Sequence, residues 1–92
     1  MAEISDTARP TLAGKARLKW DAVREKHLLL FPEGVLVLNS TAHDVLALCD
    51  GRRTVREIIG VLAAEYSSDA IAGDVKEILG KLRQKTFVTL DE

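Results

Sequence analysis

Apolar residues come in short runs in the first half of the chain and at helical spacing in the second. Ala16, Leu18 and Trp20 alternate with Arg17, Lys19 and Asp21, the period-2 pattern of a half-buried strand. Lys26 to Phe31 and Val35 to Leu38 are two mainly apolar runs flanking Pro32-Glu33-Gly34, which predicts a β-hairpin. Pro32 lacks a ladder donor and Gly34 tolerates positive φ, so both suit the turn. A strand with one wet face alternates apolar and polar residues. Val35, Leu36, Val37 and Leu38 do not, so both faces of this strand want cover. At a sheet edge, part of that cover comes from outside the chain. The pattern therefore favours a module that binds a peptide over an enzyme.

Asn39, Ser40 and Thr41 offer N-caps for a first helix, whose apolar face is Ala42, Val45, Leu46 and Cys49. Asp50-Gly51 is assigned as its stop, with Gly51 suited to a left-handed cap. Thr54 and Glu57 have the spacing of a capping box, and Val55, Ile58, Ile59, Leu62, Ala63 and Tyr66 form one helical stripe after it. Tyr66-Ser67-Ser68-Asp69 predicts a tight corner before a third helix with core face Ile71, Val75, Ile78, Leu79 and Leu82. Phe87, Val88 and Leu90 predict a short closing strand. Residues 1–14 are small, polar and proline-containing and are predicted to be a flexible arm, leaving 15–92 as a single domain. Strands followed by helices define an α+β class. The predicted architecture is winged-helix-like: a three-stranded antiparallel sheet, three helices and a short C-terminal strand.

Ninety-two residues with 47% hydrophobic content suit one modest core. A net charge of −1, with the charges mixed along the chain, lacks the basic excess of nucleic-acid binders. No apolar run approaches the ~20 residues of a membrane span, and the N-terminus lacks a secretory signal's apolar stretch. The single cysteine, Cys49, excludes an intrachain disulfide and fits a cytoplasmic location. His27 and His43 fall in different elements without a ligand partner at helical spacing, so no metal and no cofactor are expected. Cys49 lies on an apolar helix face and reads as an inert buried thiol. Asp74, Glu77 and Lys81 read as a solvated ion-pair ladder rather than an acid–base pair. No catalytic residues are assigned. The alternative function is a winged-helix DNA-binding regulator. Against it, the third helix opens Ser68-Asp69-Ala70-Ile71-Ala72-Gly73-Asp74, where two aspartates repel phosphate.

Beside its core face the third helix carries Ala72, Lys76, Leu79 and Arg83, with Gly73 and Gly80 adjacent. An apolar centre, two cations and little bulk can admit an extended peptide with acidic side chains. A solvent-facing flank explains the same spacing.

Pro32-Glu33, Leu38-Asn39, Leu48-Cys49-Asp50-Gly51, the Thr54-Val55 helix start and Asp74-Val75 together resemble the PqqD family of pyrroloquinoline quinone (PQQ) biosynthesis. The similarity runs from about residue 10 to residue 88. It departs at Lys85-Thr86, where related sequences often place a glycine. The resemblance implies a recognition element for ribosomally made, post-translationally modified peptides, with three strands packed on three helices. It implies a peptide chaperone that binds the precursor PqqA by strand addition and presents it to the radical SAM enzyme PqqE, which cross-links a glutamate and a tyrosine of the peptide. Carried onto this chain, the peptide-pairing strand is Gly34, Val35, Leu36, Val37 and Leu38, and the opposite wall is Val75, Lys76, Leu79 and Arg83. Neither nucleic acid nor membrane is an expected partner. An apolar edge strand can also pair with a second copy, and hairpin exchange is another route to a homodimer.

Overall fold

In the computed structural model, residues 4–67 and 69–91 are described. The alternating and apolar runs form an antiparallel sheet of β2 (Arg17–Asp21), β3 (Lys26–Phe31) and β4 (Gly34–Leu38), in the order β2-β3-β4. Phe31 pairs with Gly34 across the two-residue Pro32-Glu33 turn. The register places Leu18, Leu29 and Leu36 in one row of the inner face, and Trp20, His27 and Leu38 in the next. Leu29, at the centre, is fully buried. Trp20, predicted to be on a buried face, is on the inner face but remains 51% exposed. It sits over His27, with ring centroids 4.8 Å apart, and His27 stacks on His43 at 3.8 Å.

The helices α1 (Ser40–Ala47), α2 (Val55–Tyr66) and α3 (Ile71–Gln84) follow. Asn39 caps α1, its side chain accepting from the Ala42 N–H at 2.8 Å. The capping box forms as the sequence predicts: Glu57 N–H donates to Thr54 Oγ1, and Thr54 N–H donates to Glu57 Oε1. Val45, Leu46, Val55, Ile58, Leu62, Val75 and Leu79 make the core against Leu29. Ser67 ends α2 in the left-handed conformation, its N–H donating to the Ala63 carbonyl. The rest of the predicted Tyr66–Asp69 corner includes Ser68, which lies outside the described residues.

Two expectations are corrected. The predicted flexible arm is, from residue 4 onward, part of the domain; Met1 to Glu3 lie outside the described residues. Arg9–Leu12 forms strand β1, antiparallel to β5 (Val88–Asp91) in a second, two-stranded sheet. Ile4, Ala8 and Pro10 are buried. The carbonyls of Asp6 and Ala8 accept the Arg56 and Val55 N–H groups at 2.9 Å, satisfying donors that a helix start otherwise leaves open. Lys76 pairs with Asp6 at 2.7 Å. The second correction concerns Gly51. Helix α1 ends at Ala47 with Leu48 as its right-handed C-cap, so Gly51 does not cap it. Instead Asp50 accepts the Arg52 and Arg53 N–H groups, and the Gly51 N–H reaches the Pro10 carbonyl at 3.0 Å. Gly51 has φ +79°, and a Cβ there would lie 2.7 Å from Thr11 Oγ1. The Leu-Cys-Asp-Gly segment thus ties the α1–α2 link to β1.

The departure at Lys85-Thr86 leaves a mark on the backbone. Thr86 has φ +62°, a conformation that is strained for a β-branched residue and free for glycine. We expect Thr86→Gly to raise unfolding stability by about 0.5–1 kcal/mol in urea titration, after the extra unfolded-state entropy of glycine is counted.

Four carboxylates are held below their ordinary range. The Arg53 and Arg52 N–H groups lower Asp50, the Thr54 N–H and hydroxyl lower Glu57, and Lys76 lowers Asp6. For Asp44, burial acts upward, but the Tyr66 hydroxyl and His43 outweigh it. Each of these groups binds its proton less readily folded than unfolded. Their contribution is complete above the unfolded carboxylate range, about pH 4–5, and is lost as pH falls through the lower folded values. The melting temperature should be flat from neutral down to about pH 5 and fall below about pH 4. Asp50→Asn should lower it at pH 7 and make the acid limb shallower.

Candidate peptide-binding edge and groove

Both outer strands of the three-stranded sheet have an unpaired side, but they differ in chemistry. β2 carries Arg17 and Lys19, whereas β4 reads Gly-Val-Leu-Val-Leu. The β4 inner face is covered: Leu38 is buried and Leu36 half-buried. Val35 and Val37 are 54% and 53% exposed. The chain thus supplies cover to one face of β4 and leaves the other open.

The hairpin register decides which backbone groups are free. The Phe31–Gly34 pair closes a two-residue turn, a position where the partners exchange ladder bonds. Alternation along an antiparallel ladder then turns Gly34, Leu36 and Leu38 toward β3. The N–H and C=O groups of Val35 and Val37 point to the open edge.

A groove runs between this edge and α3. One part, about 230 Å³, is lined by Leu36, Val37, Leu38, Asn39, Ala42, Ile78, Lys81, Leu82 and Lys85. An adjoining part of about 300 Å³ shares Asn39, Ile78 and Lys81 with it and adds Thr41, Asp74 and Glu77. Its floor is apolar and its helix wall is charged. Lys81 pairs with Glu77 at 3.0 Å, with both side chains mostly exposed; of the predicted ladder this pair forms, and Asp74 makes no ion pair among the described residues. Lys85 makes no ion pair among the described residues.

The strand residues Gly34 to Leu38 therefore lie where the sequence places them. The helix residues do not. Val75 and Leu79 are fully buried in the core. Lys76 turns to Asp6 on the N-terminal segment. Arg83 is half-buried and is absent from the groove lining. The wall facing β4 is Ile78, Lys81, Leu82 and Lys85. Gly73 and Gly80 have open space around them, so neither is needed for a close backbone approach. One signal for the flank that lines the groove was present: Ile78 is a large apolar residue in step with Asp74, Lys81 and Lys85, while on the other flank Leu79, the large apolar neighbour of Lys76 and Arg83, also belongs to the core face.

Elsewhere the polar side chains bind the fold together. The Tyr66 hydroxyl donates to Asp44, which also meets His43 Nδ1 at 3.0 Å, joining α2 to α1. Among the described residues, no group of three or more His, Cys, Asp or Glu side chains is placed to hold a metal. The first turn of α3 carries Asp74, Lys76 behind it is paired with Asp6, and Lys81 and Arg83 stand in the last turn, so the helix start presents an acid where a phosphate would sit. No helix among the described residues is long and apolar enough to cross a membrane.

These features define an α+β, winged-helix-like domain with an apolar sheet edge left open beside a helix. The family model for coenzyme PQQ synthesis protein D (PqqD) matches residues 26–88, and the chain belongs to that family. It is 43% identical over 88 residues to a PqqA binding protein of Rhodopseudomonas palustris strain TIE-1, covering 94% of this chain and 86% of the relative. A PqqA binding protein of Klebsiella pneumoniae strain 342 is 40% identical over 77 residues, covering 83% and 84%. The fold is similar to the solution NMR structure of the PqqD truncation of Methylobacterium extorquens PqqCD. That protein is described as a stand-alone recognition element for ribosomally synthesized and post-translationally modified peptides. The TM-score is 0.79 at 38% identity, with 94% of each chain covered. The crystal structure of PqqD from Xanthomonas campestris matches with a TM-score of 0.56 at 37% identity, over 91% of this chain and 96% of that one.

Cys49 illustrates why its thiol is structural. It is 6% exposed, its Sγ lies 3.2 Å from the Val45 carbonyl, and burial together with Asp50 pushes its pKa up to about 12. Reaction requires the thiolate. At pH 8 the folded protein should resist a disulfide reagent such as DTNB, and one thiol should react rapidly once urea unfolds the chain.

Proposed function

We propose that this chain binds the precursor peptide PqqA as a strand added to β4 and presents it to the radical SAM enzyme PqqE, contributing no catalytic group itself. The observation that carries this is the open apolar edge of β4 beside a groove with an apolar floor and a lysine-bearing wall. Backbone ladder bonds give such a site affinity, and side-chain pockets set register. Ile78, Leu36 and Leu82 suit an apolar peptide side chain. Lys81 and Lys85 suit acidic ones. The family assignment, and relatives named for binding PqqA, support the same role. One free, buried cysteine suits work in the cytoplasm. Edge pairing between two copies of the chain would use the same backbone groups as the peptide. Self-association of that kind and peptide binding therefore exclude one another.

Hydrogen exchange with and without synthetic PqqA gives the test. Val35 and Val37 amides should gain protection, while Gly34, Leu36 and Leu38, already directed at β3, should change little. Val37→Pro removes an outward donor and leaves the β3–β4 ladder intact, since an edge strand tolerates proline on its free side. It should weaken peptide binding by about tenfold or more, one lost hydrogen bond plus obstruction of the incoming strand, with an unchanged circular dichroism spectrum. Lys81→Glu and Lys85→Glu should each cost only about 0–1 kcal/mol of binding, as exposed pairs do. Protection gained elsewhere with none at Val35 and Val37 would refute strand addition.

A further inference from the structure

The outer face of the three-stranded sheet is unused by the fold, and of its residues Val37, at the β4 edge, also lines the groove. The register puts Arg17, Leu30 and Val35 in one row across it, Lys19, Leu28 and Val37 in the next, and Asp21 beside Lys26 in the third. Its centre is therefore four aliphatic side chains. Val35 and Val37 are more than half exposed, and Leu28 and Leu30 are half-buried. Arg17, Lys19 and Lys26 rim this centre. None of the three makes an ion pair among the described residues. The one carboxylate in these rows, Asp21, is occupied within the β2–β3 hairpin. Its Oδ1 accepts the Val23 and Arg24 N–H groups, and its Oδ2 lies 3.8 Å from the Arg24 side chain. At the hairpin end a hollow of about 280 Å³ lies among Lys15, Arg17, Leu30, Phe31 and Pro32. Lys15 of that hollow is paired with Glu33 at 4.0 Å, whereas Arg17, Lys19 and Lys26 stand around the apolar patch without an ion pair among the described residues, in a chain of net charge −1.

We propose that this outer face docks the enzyme that modifies the peptide, through a surface of that enzyme that is apolar at its centre and carboxylate-bearing at its border. The inference rests on the strand-addition role above. An aliphatic centre selects a protein surface over a phosphate backbone, and the cationic rim selects acidic partners and speeds their encounter. A second copy of this chain would bring the same cations. Continuity with the peptide edge points the same way. Successive side chains of a strand alternate between faces, so every second residue of a peptide added to β4 projects onto this face next to Val35 and Val37. The enzyme would then meet sheet and peptide as one surface, and the groove on the inner side would stay clear of the contact.

The test uses the full chain, purified PqqE and synthetic PqqA. Arg17→Glu/Lys19→Glu reverses the rim on β2, the strand farthest from the peptide edge. Its affinity for PqqE should fall about tenfold or more, and its affinity for PqqA should stay within about twofold, as expected of distant sites. Wild-type affinity for PqqE should drop as salt rises. Unchanged PqqE binding by the folded variant would overturn the proposal. So would a wild-type dimer, seen by sedimentation, that the same substitutions dissociate, because the face would then be a contact between copies. If the double reversal fails to fold, Arg17→Gln/Lys19→Gln and the salt dependence decide. Loss of PqqA protection at β4 in the wild type would instead sink strand addition, while a PqqE contact sensitive to the rim would leave the docking face standing.

Discussion

The position of α3 depends on a backbone tie made far from the groove. Helix α3 runs directly into β5, and β5 is held by β1 through the pairs Arg9–Asp91 to Leu12–Val88. The same N-terminal segment feeds its carbonyls to the start of α2 and its Leu12 N–H to Cys49. One stretch of chain therefore fixes the end of α3, the start of α2 and the link after α1. The spacing between Ile78 on α3 and Leu36 on β4 follows from that arrangement. A groove of this kind is kept open by anchoring its walls from behind rather than by filling it.

The two edges of the sheet show how the chain separates a binding edge from an ordinary one. Strand β2 presents Arg17, Lys19 and Asp21, and charged side chains discourage pairing with another strand. Strand β4 has no charge at all between Gly34 and Leu38. Only one of the two edges is therefore chemically open to an added strand. The stiff Pro32-Glu33 turn fixes its register against β3, and that register selects which amides face outward.

Strands β2 to β4, the capping box and the core faces of the three helices were legible because each is a local pattern. β1 was not. Arg9-Pro10-Thr11-Leu12 is too short for its polar–apolar alternation to stand out, it contains a proline, and its partner strand lies at the opposite end of the described chain. Pro10 is buried by tertiary packing that no local period announces. The helix wall of the groove was misplaced for a related reason. Spacing defines the core stripe of α3 and two flanks. Which flank meets the sheet is set by how the helix packs, and here Lys76 pairs with Asp6 while Lys81 lines the groove beside β4. Trp20 faces inward as its phase predicts yet stays exposed, because it stands on the outer strand β2 and it is His27, not Trp20, that stacks on His43 of α1.

The antiparallel pairing of β1 and β5 has a consequence for folding. It joins the first described strand to the last, so β1 gains its partner only after the intervening elements have brought β5 back to it. Closing so long a loop carries an entropy cost, and pairings of this kind form late in folding. Loosening β5 would in turn release the segment whose Asp6 and Ala8 carbonyls serve the start of α2.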